Sequence, residues 1–480
     1  MSIPKKLETQ DFTGDPAVLE CLRRLKEKYP AGNPLVVSDV LDDEGHQYVH
    51  LVQKGGGVLG VALVGYTYVL EEMGIRFLKQ AGTSAGAINT ALMTVIGNKQ
   101  DPKSVRVLDV ICKLDFFSLV DGHPFARRVI KSFIRNNNFV AAVERFVFVM
   151  LSLFVLSLTG SIVFANLKHT VPSLSLLSTI TLVSTIVFIV IAAIVALYIR
   201  SLFKRLKNAG YGINPGKVFY NWIELQLQEN GVKTVSDLNE KAKAVPRLHL
   251  RVPHEKKLDE LTGPVTFITS ELVTENKIQL PAMCNLFRKE EDFDSLPPAG
   301  FIRASMSIPL FFESYIIHDI PCEDEEIKEA WKALGVYDPP STARFVDGGV
   351  LSNFPVSIFY IPEISIPRLP VFGIDLDDSL PEDNEKNSVA WTLTGYLGRL
   401  FNTIRNYYDK DFLIKNRIYE KGIGKVKVAN YNWLNFFLSD REKKELFVLG
   451  AKAATEFLEN FNWNEYKGNR QLMEGKLKSK

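Results

Sequence analysis

The sequence predicts an α/β fold on a mainly parallel sheet, interrupted by a pair of long apolar helices. Short apolar runs of strand type end at turns and are followed by helical spacing, the alternation that builds a parallel sheet covered on both faces. Between Ala141 and Ile199 charged residues almost vanish. The 480 residues are 46% apolar and 23% charged, which excludes wholesale disorder, and they suffice for one large domain with an appended piece or for two or three ordinary domains.

Taken in order, Met1 to Glu8 leads into polar sequence and is not expected to act as a secretory signal. Tyr48–Gln53 reads as a strand ending at glycines, Val61–Met73 has helical spacing, Gly74 stops it, and Ile75–Gln80 is the next strand. After the apolar region, Val265–Thr269, Arg344–Val346 and Val371–Ile374 are further buried strands. Near the end Ser439-Asp440-Arg441-Glu442 is a capping-box pattern, with Leu446, Leu449, Ala453 and Phe457 on one face of the helix it opens. That helix is expected to cover the core without a catalytic part.

The apolar region holds two runs, the first between Arg145 and Lys168 and the second from Val171 to Ile199. About 20 helical residues cross a hydrocarbon core, so each run is long enough to span. The polar link 166–173 ends in a helix breaker and makes the pair a hairpin, with residues 146–199 as the expected bilayer contact. Arg127, Arg128, Lys131, Arg135 and Arg145 precede it and Arg200, Lys204, Arg205 and Lys207 follow it. The positive-inside tendency therefore puts both termini on the cytoplasmic side. A buried hairpin of a large soluble core, or a shallow one that never crosses, is the competing reading.

A net charge of +2 argues against a nucleic-acid binder. Cys21, Cys112, Cys284 and Cys322 are scattered, so neither a disulfide framework nor a metal site is indicated, and no cofactor is called for. Oligomeric state is left open by the sequence.

Three blocks carry chemistry. Gly82-Thr83-Ser84-Ala85-Gly86 follows a strand and opens a helix, the setting of a nucleophile elbow. Small residues there also make ordinary tight packing. Gly55-Gly56-Gly57-Val58-Leu59-Gly60 ends the preceding strand, where side-chain-free peptides bring N–H groups close to an anion. A dinucleotide cradle would expect an acidic residue at the end of the next strand. That strand runs instead into the serine elbow, so an oxyanion hole serving Ser84 is the better reading. A serine needs a base. His46, His50, His123, His169, His249, His254 and His318 all precede the final third and none sits in a glycine-rich loop, so each reads as a surface or structural residue. Asp347, ending a strand before Gly348 and Gly349, is the alternative; an Asp-Gly-Gly turn is its plainer explanation. Burial would raise such a carboxyl toward useful basicity.

Together GGGVLG at 55–60, GTSAG at 82–86 and DGG at 347–349 resemble the patatin-like phospholipase family. Ile302–Pro309 ahead of the aspartate and Asn353-x-Pro355 after it share the likeness. The resemblance implies a three-layer α/β/α sandwich and a Ser–Asp dyad: Ser84 as nucleophile, Asp347 as base, and the Gly56 and Gly57 amides as oxyanion donors. Gly55, Gly60, Gly82, Gly86, Gly348 and Gly349 complete the motifs. Leu59 departs from the pattern, since many relatives carry Arg or Lys there, which bears on head-group contacts or loop geometry. A transmembrane hairpin between elbow and aspartate is not a general family feature.

The expected organisation is an N-terminal extension (1–45), a catalytic domain in two parts (46–135 and 208–385), the hairpin insertion (136–207) and a C-terminal helical region packed on the catalytic domain (386–480). The implied activity is membrane-anchored lipid ester hydrolysis. An acyltransferase on the same scaffold and a catalytically silent membrane scaffold are the rivals, with a dinucleotide enzyme behind both.

Overall fold

The computed structural model describes residues 7–469 apart from 123, 125–126, 129–130, 132–138, 209, 253–260, 362–365 and 379–392. His123, His254 and Arg135 lie outside the described residues. The chain forms two compact units, one of residues 1–120, 216–309 and 314–480, the other of residues 121–215 and 310–313.

The first unit is built on one sheet. In chain order its strands are β1 (Val40–Asp42), β2 (Gln47–Gln53) and β3 (Ile75–Thr83), then, numbering β4 (Gly212–Asn214) in the other unit, β5 (Leu248–Leu250), β6 (Thr266–Glu271) and β7 (Asn276–Leu280). After β8 (Leu310–Phe312) of the other unit come β9 (Tyr315–Ile317), β10 (Ala343–Asp347), β11 (Val371–Asp377) and β12 (Ile423–Lys427). The strand order is β12-β11-β2-β3-β6-β10-β9, with β1, β5 and β7 attached at the side. From β12 to β6 neighbours are parallel, as the sequence predicts. β10 runs antiparallel to both β6 and β9. The sheet is thus mixed rather than mainly parallel at its aspartate end. Strand direction is set by tertiary pairing and has no local sequence signature.

Alternation along the strands gives the sheet two buried faces. On one, Val52, Ala81 and Val371 meet Phe354, Val356 and Tyr419. On the other, Phe372 packs edge-on against Phe457 and Phe461. Phe457 belongs to the helix Asp440–Asn460, whose predicted capping box is present: Ser439 Oγ accepts the Glu442 amide and Glu442 accepts the Ser439 amide at 2.7 Å. The helix crosses Gly60–Glu72 closely enough that a Cβ on Gly65 or Gly450 would strike the other helix's backbone. Its buried stripe is Leu446, Phe447, Gly450, Ala451, Ala454 and Leu458. The predicted Leu449, Ala453 and Phe457 are only half-buried. The glycine crossing pulls the contact line one position around the helix.

The second unit holds the helices Phe139–Leu167 and Ser175–Asn208 and the parallel pair β4–β8. Stretches Ala142–Leu167 and Pro172–Lys207 are long and apolar enough to cross a membrane, with mean hydropathies of 2.4 and 2.9. The two helices meet through small and polar side chains. Ser157 Oγ lies 2.9 Å from Thr185 Oγ1 and donates to the Thr181 carbonyl at 3.1 Å, and Gly160 faces Thr181. Outward they are oily: Phe148 is 72% and Leu156 71% exposed.

Candidate active site

β6 sets the register of the site. Thr83, the last residue of β3, pairs with Ile268, and Asp347, the last of β10, pairs with Thr269. The ends of two strands that lie far apart in sequence therefore converge on consecutive residues of the strand between them. With strands about 4.8 Å apart, side chains reaching inward from both can meet over β6.

Ser84 caps the helix Ala85–Val95 in a backbone conformation that L-residues rarely hold, φ 53° and ψ −121°. Such strain persists only where the surroundings enforce it. Enforcement comes from two sides. A Cβ on Gly82 would collide with the Gly86 carbonyl, so the turn closes only on bare glycine. The Ser84 amide donates to Ser305 Oγ at 3.0 Å, and Ser305 donates on to the Ile268 carbonyl at 2.6 Å. The same segment holds the aspartate, because the Asp347 amide donates to the Ser307 carbonyl at 2.8 Å. Residues 302–309, singled out in the sequence only by resemblance, thus tie the two halves of the site together.

Asp347 is buried, and its Oδ1 accepts the Gly349 amide at 2.7 Å. Its Oδ2 has no hydrogen-bond partner among the described residues. Burial pushes its carboxyl above the usual carboxylate range; the Ser84 hydroxyl, the Gly349 amide and the Arg405 charge pull the other way. Ser84 is thus near enough to influence the carboxylate, yet its Oγ points to Met306 Sδ at 3.5 Å and makes no hydrogen bond of ordinary geometry to Asp347. The pair is in close approach, not closed.

The glycine loop stands over the same cleft. Gly56, Gly57, Ser84, Asp347 and Gly349 all line it, with Arg405 and Trp433 at one side. Gly57 has φ +54°, and a Cβ there would strike the Trp433 carbonyl oxygen, which instead accepts the Val58 amide at 3.1 Å. Asn353 fixes the start of the loop, its carbonyl accepting the Gly55 amide at 2.9 Å and its Nδ2 donating to the Gly55 carbonyl at 3.2 Å. Among the described residues the Gly56 and Gly57 amides have no protein acceptor. Gly60 sits against Ala85, and Gly348 packs on the Ile268 carbonyl. All ten motif residues expected from the sequence are therefore in or directly beneath one cleft.

None of the described histidines lines it. His50 is buried on β2, where desolvation and nearby lysines hold it well below its ordinary pKa. His46 bonds Asp42 at 2.9 Å.

A second, narrow apolar pocket lies behind the loop, lined by Ile88, Ile111, Leu114, Phe116 and Trp222. Gly57 lines both spaces, and Met306 closes the cavity at the serine end. Sequence reasoning missed these walls, and also Arg405, Asp409 and Trp433; it marked Ser305 and Asn353 only by resemblance, without a role. Asp409 is buried in the helix Leu393–Lys415 and accepts from Ser352 Oγ and from the Phe354 amide, both at 2.8 Å.

A sequence model of the patatin-like phospholipase family matches residues 51–360, and the chain belongs to that family. Membership implies lipid acyl hydrolase activity. The uncharacterized protein YqhO of Bacillus subtilis (strain 168) is 25% identical over 419 residues, covering 87% of this chain and all of that one. The crystal structure of VipD from Legionella pneumophila superposes with a TM-score of 0.36 at 14% identity, covering 91% of this chain and 72% of that chain, too loosely to position any residue.

Proposed function

We propose that the chain is a membrane-anchored serine esterase acting on lipid esters, with Ser84 as nucleophile, Asp347 as base and the Gly56 and Gly57 amides as oxyanion donors. The observation that carries this reading is the strained Ser84 elbow sharing a cleft with a buried Asp347 whose Oδ2 lacks a partner. Turning about χ1, the Ser84 hydroxyl leaves Met306 and donates to Oδ2. Oγ then attacks the ester carbonyl as its proton passes to Asp347. The carbonyl oxygen, now an anion, takes the two glycine amides, each such donor being worth on the order of 100- to 1000-fold in rate. Collapse expels the alcohol portion, which carries away the proton held by Asp347. A water, deprotonated by Asp347, attacks the acyl-serine; as the ester bond breaks, Asp347 returns that proton to Ser84 Oγ and the fatty acid leaves. The apolar cavity behind Gly57 suits the acyl chain, since burying each CH₂ contributes about 0.8 kcal/mol.

The domain division expected from the sequence belongs to this proposal, with the catalytic domain in two parts around the hairpin. Exposed apolar side chains on both long helices, with small and polar ones between them, are the pattern of helices packed in lipid. Their cytoplasmic flanks would tether the catalytic unit where its substrates are concentrated.

The test is Ser84→Ala compared with native protein on phospholipid, lysophospholipid, triacylglycerol and short p-nitrophenyl esters. Turnover of every ester is expected to disappear while the melting curve is kept. Retained turnover removes the nucleophile assignment. Separately, deleting residues 141–199 is expected to release soluble protein that has lost hydrolysis of bilayer lipid but not of soluble esters.

A further inference from the structure

The helix Leu393–Lys415 brings to the cleft a cation that the reaction above does not use. Arg405 lines the same space as Ser84 and Asp347, half-buried, with its guanidinium 5.5 Å from the centre of the Trp433 ring. Its charge reaches Asp347, where it opposes the rise in pKa that burial causes. Yet among the described residues it has neither an ion pair nor a protein hydrogen-bond acceptor. A guanidinium is always charged and offers five N–H donors in a planar fork, a shape that matches phosphate oxygens two at a time. Held against an aromatic face with its donors unused, it is a receptor awaiting an anion.

The fork is fixed from two directions. One helical turn on, Asp409 staples the helix to Ser352 and Phe354, immediately after the aspartate block. Trp433, whose ring carries the guanidinium, holds the glycine loop through the Val58 amide. An ester placed with its carbonyl at Ser84 and its acyl chain in the apolar cavity leaves its alcohol portion in the cleft that Arg405 lines.

We propose that Arg405, beside the Trp433 ring in the cleft that holds Ser84, receives the phosphate in the alcohol portion of the substrate, directing this site to phosphate-bearing lipid esters over neutral acylglycerols. The proposal rests on the serine esterase reading. It makes Arg405 a specificity-determining residue that touches substrate away from the bond being broken.

The experiment uses the purified full chain in mixed micelles with oleoyl lysophosphatidic acid and monooleoylglycerol, which share the acyl ester and differ in the phosphate. Native protein is expected to favour the phosphate-bearing ester in kcat/KM. Arg405→Gln should lower that preference on the order of 10- to 100-fold, chiefly through KM, and Arg405→Lys should restore part of it as a point charge without the fork. The readout is a ratio within one preparation, so a partly folded variant does not mimic the result. Equal turnover of both esters by native protein, or a ratio unmoved in Arg405→Gln, overturns the proposal while leaving the esterase standing. Turnover of neither ester, with no fluorophosphonate label, overturns both. If excess inorganic phosphate alters monooleoylglycerol turnover in native protein but not in Arg405→Gln, the fork serves a free anion and the head-group role is wrong.

Discussion

The Ser84 hydroxyl is engaged by the Met306 thioether, 3.5 Å away, and not by the Asp347 carboxylate that shares its cleft. A thioether is a weak acceptor, so the cost of freeing the serine is small. Met306→Leu conserves volume and removes the acceptor. It is expected to fold, with less than about 1.5 kcal/mol of destabilisation. Fluorophosphonate labelling should be about 2- to 10-fold faster, the share a net bond of about 0.5–1.5 kcal/mol would withhold. Slower labelling would mean that the sulfur helps to aim the hydroxyl.

In the proposed dyad Asp347 must be ionised to accept a proton. Burial raises its pKa above the ordinary 3.8. The kcat/KM profile should therefore rise with pH through a value above that of a free aspartate. A carboxyl whose folded-state pKa is raised holds its proton more tightly folded than unfolded, so it stabilises the fold most below 3.8 and loses that contribution as pH climbs through the folded value. Asp347→Asn should abolish turnover, by a factor on the order of 10⁴, and flatten this decline in melting temperature.

Asp409 behaves likewise. Burial pushes its carboxyl up to about 6, against the pull of Phe354 and Ser352. Between pH 4 and 6, roughly, stability should fall as pH rises, because the unfolded chain gives up this proton first. Asp409→Ala strands two buried donors and should cost about 1–3 kcal/mol. Melting curves across that window check both statements: the variant should be less stable overall and less dependent on pH.

Ser305 is a positioning residue. Its hydroxyl relays the Ser84 amide to the Ile268 carbonyl. Ser305→Ala leaves a strained turn without its hydrogen bond and should slow labelling of Ser84 about 10-fold, while Ser305→Thr, which keeps the hydroxyl, recovers much of the rate. A rate unchanged in the alanine variant would assign the elbow's strain to the glycines alone.

The parts of the site legible in the sequence are those made by local chemistry. Gly57 and Gly82 stand where any Cβ would collide, and such constraints leave a short motif. Strand ends at Gln53 and Asp347 were visible from apolar runs stopping at glycine. What stayed hidden is long-range. The antiparallel course of β10 depends on its pairing with β6 and β9. Ser305, Asn353 and Arg405 act only through partners distant in the chain. The Leu393–Lys415 helix gave one available clue, an aspartate at 409 four positions after an arginine. That spacing puts both on one face, but nothing local says that the face meets a serine.

The most direct test of the Ser84–Asp347 assignment is the site and rate of covalent labelling, read by mass spectrometry after reaction with a fluorophosphonate. The adduct is expected on the peptide containing Ser84 in native protein, and its formation in folded Asp347→Asn should be at least about 100-fold slower. An adduct on another residue, or equal rates in the two proteins, would contradict the account.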